Sequence, residues 1–377
     1  MQVIINAGSS SLKWAVYLQE SHVISGVIER IGGDSIFCIH ERKESVQIAS
    51  HVQAVGFVLR FLAENKIVSV QDITHFVHRV VHGAEKYDRP VLVTPEVLSD
   101  IEAFSVLAPL HNPANLAGIR ACMAAAPHAK NIAIFDTAFH QTIPPEVYLY
   151  GIPYNLYETH RIRKYGFHGT SHQYISTELT KLYGQDAHVI SCHLGSGSSI
   201  TAVRAGKSVD TTMGFTPLDG VLMSTRTGEI DPEIPLFLLK HGHYSVDELS
   251  ELFNKKSGFV GLTGKSDLRD IYEASQQGDE KCTLVIEMLC YKIAYYISAL
   301  RVAVPKLSAI AFTGGIGEKA WYVRSRVCAL LQIPLDEERN QQHAPVISPE
   351  QSTVRVHIIP AQEEYMMQLL ALSLMSS

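Results

Sequence analysis

The segment VIINAGSSSLKWAV (3–16) has a counterpart of the same pattern halfway along the chain, HVISCHLGSGSSITAV (188–203). Each is an apolar run, a turn built from glycine and hydroxyl residues, and a second apolar run, the signature of a β-hairpin with a polar tip. One such hairpin per half points to a duplicated α/β domain. The length of 377 residues agrees, because single hydrophobic cores stop growing beyond roughly 250–300 residues. Two domains would leave a cleft between them for a ligand.

Further segments fit this plan. Residues 51–66 have helical periodicity, THFVHRVVHG (74–83) reads as a strand entering a loop, and NIAIFDTAFH (131–140) reads as a buried strand ending in polar residues. LSAIAFTGGIGEKA (307–320) reads as a strand, a glycine turn and a helix. Side chains at the carboxyl ends of such strands project into the crevice where α/β proteins bind ligands. The Pro-, Tyr- and Gly-rich stretch 143–169 marks the crossing between halves, and the terminal EEYMMQLLALSLMSS reads as a helix returning to the first half. The expected boundaries are 1–142 plus about 365–377 for the N-terminal lobe and 143–364 for the C-terminal lobe.

A net charge of −6 and a pI near 6.3 argue against a nucleic-acid binder, which draws its non-specific affinity from excess Lys and Arg. Six scattered cysteines without a CxxC pair suggest neither a disulfide framework nor a thiolate metal site. No signal-peptide pattern precedes the first strand. The run LVIEMLCYKIAYYISALRVAVP (284–305) is interrupted by Glu287, Lys292 and Arg301, which reads as a buried helix rather than a membrane span. A soluble, cytoplasmic protein with no membrane partner is expected.

Several familiar motifs are excluded. In GFVGLTGKSD (258–267) five residues separate Gly258 from Gly264 where a phosphate-binding P-loop has four, and the preceding residues are no buried strand. No serine stands between glycines two positions away on both sides, as a hydrolase elbow requires. His168 and His172 are four apart, as are His78 and His82, but neither pair has an HExxH frame or a third ligand. What remains is three glycine-containing turns, Arg79 and Arg226 beside small or turn-forming residues, His168 in a Gly-flanked turn, and the carboxylates Asp136 and Glu363 after short apolar runs. N–H cradles, cations around phosphate oxygens and few carboxylates for Mg²⁺ are what phosphoryl transfer needs. The residues alone point to a kinase or ATPase.

NAGSSSLK, HRVVHGAEKY, APLHNPANLAGI, FDTAFHQTIP, YGFHGTSH, CHLGSGSS, DTTMGFTPLDG, TRTGEIDP, FTGGIGE and IPAQEE occur in this order, and with them the chain closely resembles the acetate kinases from residue 1 to about 367. The resemblance implies duplicated ribonuclease-H-like domains of the actin-like ATPase type with an interdomain cleft. It also implies reversible transfer of the ATP γ-phosphoryl group to acetate, giving acetyl phosphate and ADP, with Mg²⁺ or Mn²⁺, in a homodimer.

Carried over by resemblance, Asn6 lies near the transferring phosphate and the metal, with Ser9, Ser11 and Lys13 in the same cradle. Arg79 and Arg226 bracket acetate and the migrating group, His168 hydrogen-bonds that group, and His111 and His193 are its neighbours. Asp136 and Glu363 are tied to the metal and to active-site charge. Val81, Leu110, Phe167 and Pro217 wall the acetate methyl. The nucleotide follows His193, Leu194, Gly195, Ser196 and Gly197, then Asp267, Leu268 and Arg269, then Gly315, Ile316, Gly317, Glu318 and Lys319. The chain departs from the family pattern at Ser196, Lys319, Gln362 and a GKSDLR loop one residue short, all toward the nucleotide. A propionate kinase, a donor other than ATP, and a nucleotide-gated binding protein in the manner of actin or Hsp70 are the alternatives. The clamp arginines and apolar wall speak against the last.

Overall fold

The computed structural model describes residues 1–8, 10–109 and 111–376. The chain divides into two compact units, Met1–Gln141 with Gln362–Ser377, and Thr142–Ala361.

The first unit contains β1 (Gln2–Ala7), β2 (Ser11–Leu18), β3 (Ser21–Glu29), β4 (Asp34–Ile39), β5 (Arg42–Gln47), β6 (His75–Val80), β7 (Val91–Leu92) and β8 (Lys130–Phe135), in the sheet order β5-β4-β3-β2-β1-β6-β8-β7. The second contains β9 (His188–Leu194), β10 (Ser198–Arg204), β11 (Lys207–Thr211), β12 (Leu307–Thr313) and β13 (Arg355–Ile358), in the order β11-β10-β9-β12-β13. Both sheets have one design. β1 runs antiparallel to β2 and parallel to β6, and β6 runs parallel to β8. Likewise β9 is antiparallel to β10 and parallel to β12, which is parallel to β13. The order 3-2-1-6-8 of the first sheet is the order 11-10-9-12-13 of the second, so the repeated hairpin does mark a duplication.

Strand alternation explains the cores. Val3 and Ile5 face the helices His51–Glu64 and Asn112–Ala125 through Val55, Val58, Leu62 and Cys122. Ile4, with Val77, Ile132 and Ile134, faces Met367 and Ala371 of the helix Glu363–Ser376. A strand buried on both faces reads as a continuous apolar run rather than an alternating one, and VII and IAIF are such runs. In the second unit Ile190, Cys192, Ile200, Ile310 and Phe312 pack on Val285, Leu289, Ile293 and Ile297 of the helix Glu280–Leu300.

That helix corrects one expectation. It is long and apolar enough to cross a membrane by length and composition, and one face is in the core, but Leu284, Met288, Tyr291 and Tyr295 are exposed. It is a two-faced surface helix, not a buried one. The two charges in its middle are in ion pairs, Glu287 with Arg326 and Lys292 with Glu229.

Because Met367 is fully buried against three strands of the first unit, Met367→Ala should destabilise that unit by about 2–5 kcal/mol. Urea titration followed by circular dichroism measures it; a loss under about 0.5 kcal/mol would mean that the C-terminal helix does not complete this core.

Candidate active site

In the second unit the tip of the β9–β10 hairpin and the start of the helix Gly169–Tyr183 come together. His168 caps that helix with φ +55°, a left-handed conformation uncommon outside glycine and tolerated by His more than by most residues. Its ring stacks on His193 with centroids 4.4 Å apart. Its Nδ1 lies 2.9 Å from Ser199 Oγ, while His193 Nδ1 lies 2.8 Å from Ser171 Oγ. Gly197 stands against both His168 and Arg226. A Cβ there would lie 3.4 Å from His168 Nε2 and 3.5 Å from Arg226 Nη1, in van der Waals contact with both, so the ring and the guanidinium meet at this one backbone position.

Arg226 donates from Nη1 to the Pro217 carbonyl at 3.0 Å, and among the described residues no carboxylate pairs with it. Burial lowers its pKa from the usual value, the mark of a cation short of water and of counter-charge. The loop that carries it is pinned by backbone bonds: Phe259 N–H donates to Met223 O and Val260 N–H to Ser224 O. Gly258 makes this approach at φ +61°, where a Cβ would lie 2.1 Å from Met223 O.

In the first unit Arg79, near the end of β6, is in the opposite electrostatic state. It donates from Nε to Asp136 Oδ2 at 2.9 Å and, by a shorter bond, from Nη2 to the same oxygen; Nη1 donates to Asn6 Oδ1 at 3.0 Å. Asn6 Nδ2 in turn lies 3.2 Å from Glu363 Oε2 and from Glu364 Oε1. Burial alone would lower the Arg79 pKa, but Asp136, with Glu363 and Glu364 behind it, raises it well above the ordinary value. Asn6, Asp136 and Glu363 offer hard oxygen donors, and among the described residues no three His, Cys, Asp or Glu side chains form a ready metal cage. A few oxygens without a full cage suit Mg²⁺, which keeps waters and shares its shell with substrate phosphates. Val81 is buried and its N–H donates to Asn115 Oδ1. His82 beside it is held neutral, its pKa pushed down to about 3 by burial.

The second unit also carries a pocket of about 510 Å³ lined by Gly195, Ser196, Asp267, Leu268, Arg269, Gly315, Ile316 and Lys319, together with Ser224, Phe259, Ser266, Ala320 and Tyr322. Tyr322 lies flat on Tyr272 with centroids 3.7 Å apart, and Arg269 is locked to Asp267 by two hydrogen bonds. Residues from five separate sequence stretches thus meet in one hollow of the size that small cofactors fill.

Of the residues expected from sequence, His168, His193, Gly197, Arg226 and Pro217 lie in one cluster of the second unit, and Arg79, Asp136, Asn6 and Glu363 in one cluster of the first. Phe167 is buried next to His168 in the chain, and His111 stands at the start of the helix Asn112–Ala125. Ser11 and Lys13 open β2. Ser9 and Leu110 lie outside the described residues. His193, Leu194, Gly197, Gly317 and Glu318 do not line the 510 Å³ pocket. Glu318 instead accepts from the backbone N–H groups of Gly314 and Ala361, closing the turn above it. Ser224, Phe259, Ser266, Ala320, Tyr322 and Glu364 were not anticipated. Glu364 had a signal, since it adjoins Glu363 at the start of a helix.

The acetokinase family model matches residues 1–369. Acetate kinase of Thermotoga maritima is 43% identical over 386 aligned residues, covering 97% of this chain and 96% of that one. Among solved structures, a propionate kinase from Francisella tularensis superposes with a TM-score of 0.93 at 38% identity, covering 98% of each chain. Acetate kinase of Porphyromonas gingivalis gives a TM-score of 0.90 at 36% identity over 99% of each.

Gly258→Ala should cost more than the roughly 1–2 kcal/mol of the left-handed conformation, because the new methyl meets a backbone carbonyl, and it should depress activity by shifting the Arg226 loop. Thermal unfolding and turnover measure the two effects; unchanged values of both would mean that Gly258 does not set this loop.

Proposed function

The chain belongs to the acetokinase family, and from that premise we propose that it catalyses the reversible, Mg²⁺-dependent transfer of the ATP γ-phosphoryl group to acetate, giving acetyl phosphate and ADP. The observation that carries the proposal is Arg226, a largely buried guanidinium with no carboxylate among the described residues, set with His168 around the side-chain-free Gly197. Such a site calls for an anion of its own.

The second unit is the nucleotide side. The stacked Tyr272–Tyr322 pair offers a flat apolar wall for a base, and the Gly195–Gly197 and Gly315–Lys319 turns offer N–H groups and a cation for a polyphosphate. The first unit is the acyl and phosphate side, with Ser11 and Lys13 at the start of β2 on the phosphate side and Val81 and His111 on the acyl side; the family resemblance adds Ser9 to the phosphate cradle and Leu110, Phe167 and Pro217 to the apolar wall around the acetate methyl. Arg79 is held in place by Asp136 and Asn6, so it meets the substrate already oriented. An acetate oxygen attacks the γ-phosphorus directly, in line with the departing ADP. His168 and Arg226 donate to the equatorial oxygens as their charge shifts, and no phosphoenzyme forms. Asn6, Asp136 and Glu363 would hold Mg²⁺, with Mn²⁺ as a substitute, and the ion would offset phosphate charge. As the family resemblance implies, we place the protein in the cytoplasm as a homodimer; its six free cysteines suit a reducing compartment.

A hydroxamate assay with ATP, Mg²⁺ and acetate tests the reaction; slow ATP hydrolysis indifferent to acetate would contradict it. His168→Ala and Arg226→Ala should each lower kcat by about 10²–10³ with little change in the KM for acetate, and near-normal turnover in either would refute its role. One extra methylene is worth about 1–3 kcal/mol, so kcat/KM for propionate should be roughly ten- to two-hundredfold below that for acetate. A preference for propionate would make it a propionate kinase instead.

A further inference from the structure

Behind His168 the second unit holds a run of side chains that no step of the proposed transfer uses. Ser199 Oγ lies 2.9 Å from His168 Nδ1 and 2.7 Å from His172 Nε2, and His172 Nδ1 lies 2.9 Å from Ser191 Oγ. Ser191, His172 and Ser199 are all fully buried. A row of serine, histidine, serine, histidine therefore leads from the core to the ring that faces Gly197.

Each hydroxyl has one proton to donate, and a neutral imidazole has one N–H and one bare nitrogen, so the row admits two consistent orders. In the first, Ser191 O–H donates to His172 Nδ1, His172 Nε2–H donates to Ser199 Oγ, and Ser199 O–H donates to His168 Nδ1. The His168 proton then sits on Nε2. In the second order every bond is reversed and His168 carries its proton on Nδ1. That order strands the Ser191 proton, because His172 Nδ1 is the only hydrogen-bond partner of Ser191 Oγ among the described residues. A buried donor without an acceptor is disfavoured by roughly five- to over a hundredfold, so the first order prevails. A doubly protonated His172 gives the same result, since its two N–H groups leave Ser199 with only His168 Nδ1 to donate to. Protonating His168 on Nδ1 as well would strand the Ser199 proton in its turn.

We propose that Ser191, His172 and Ser199 form a tautomer lock that holds His168 as a neutral imidazole with its proton on Nε2, the nitrogen that faces Gly197 and Arg226. His168 then donates to the phosphoryl group as a fixed dipole and never enters the reaction as an acid. The three are positioning residues, acting through His168, and the assignment rests on the proposed role of His168 as a donor.

¹⁵N-histidine NMR of the full-length protein reads the tautomers directly, with His168 and His172 assigned by single substitution. Both should show a protonated Nε2 and a bare Nδ1 at neutral pH. Ser191→Ala removes the hydroxyl that sets the direction without touching His168. It should give mixed tautomers at both rings and lower kcat about tenfold, near the low end for loss of a group that orients a histidine, with KM for ATP and acetate unchanged; Ser191→Thr should restore both readouts. A protonated Nδ1 on His168 in the unmodified protein, or tautomers and kcat unaltered in Ser191→Ala, would overturn the proposal. Full turnover in His168→Ala would remove the donor role itself while leaving the tautomer result standing, so the two failures are distinct.

Discussion

The second unit is organised around a positive charge that its own side chains leave uncompensated. Arg226 sits on a loop fastened by the start of the Gly258–Thr263 helix, gives one N–H to a proline carbonyl, and has no acidic partner among the described residues. Desolvating a cation without pairing it is costly, and a fold that keeps such a group is poised for a ligand that supplies the missing charge. Arg79 provides the contrast. Asp136 and Asn6 fix three of its nitrogens, so its geometry is set before any substrate arrives. One arginine is held by an acidic partner and the other is left without counter-charge.

Backbone strain and small residues maintain this arrangement. His168 holds a left-handed conformation at the start of its helix, which aims its ring back at the β9–β10 hairpin. Gly197 presents bare backbone beside that ring and the Arg226 guanidinium, and Gly258 lets the Arg226 loop lie against a helix start. Conformations of this kind survive where the surrounding structure over-determines them, and they gather at functional sites. Here the stacking of His168 on His193 and its bond to Ser199 provide that over-determination.

Much of this was legible in the chain. The two hairpins appear as matched patterns because a strand buried on both faces leaves a continuous apolar run, and the polar tips stand out against it. Asp136, Arg79 and His168 could be picked out because each is a charged or titratable residue at the end of a strand or in a glycine turn. What escaped sequence reading depends on distant contacts. Tyr322 matters because Tyr272, fifty residues earlier, lies flat against it. Ser224 and Ser266 carry no motif and reach the pocket only because their loops cross, the hydroxyl of Ser224 donating to the Ser266 carbonyl. The charges that interrupt the run 284–305 speak against a membrane span and for a buried helix, but they do not reveal that Glu280–Leu300 also has an exposed side, because that side is largely apolar. The Ser191–His172–Ser199 row is invisible in sequence because it joins two strands to a helix through side-chain bonds alone.

The proposal rests most heavily on His168 and Arg226, which meet at Gly197 in the second unit, acting on the same migrating phosphoryl group. A double-mutant cycle in kcat, comparing His168→Ala, Arg226→Ala and the double variant with the unmodified protein, tests it most directly. Residues that act as one unit in a transition state are strongly non-additive, so the double variant should lose little more than the worse single variant. Losses that simply multiply would show two independent sites and contradict the account.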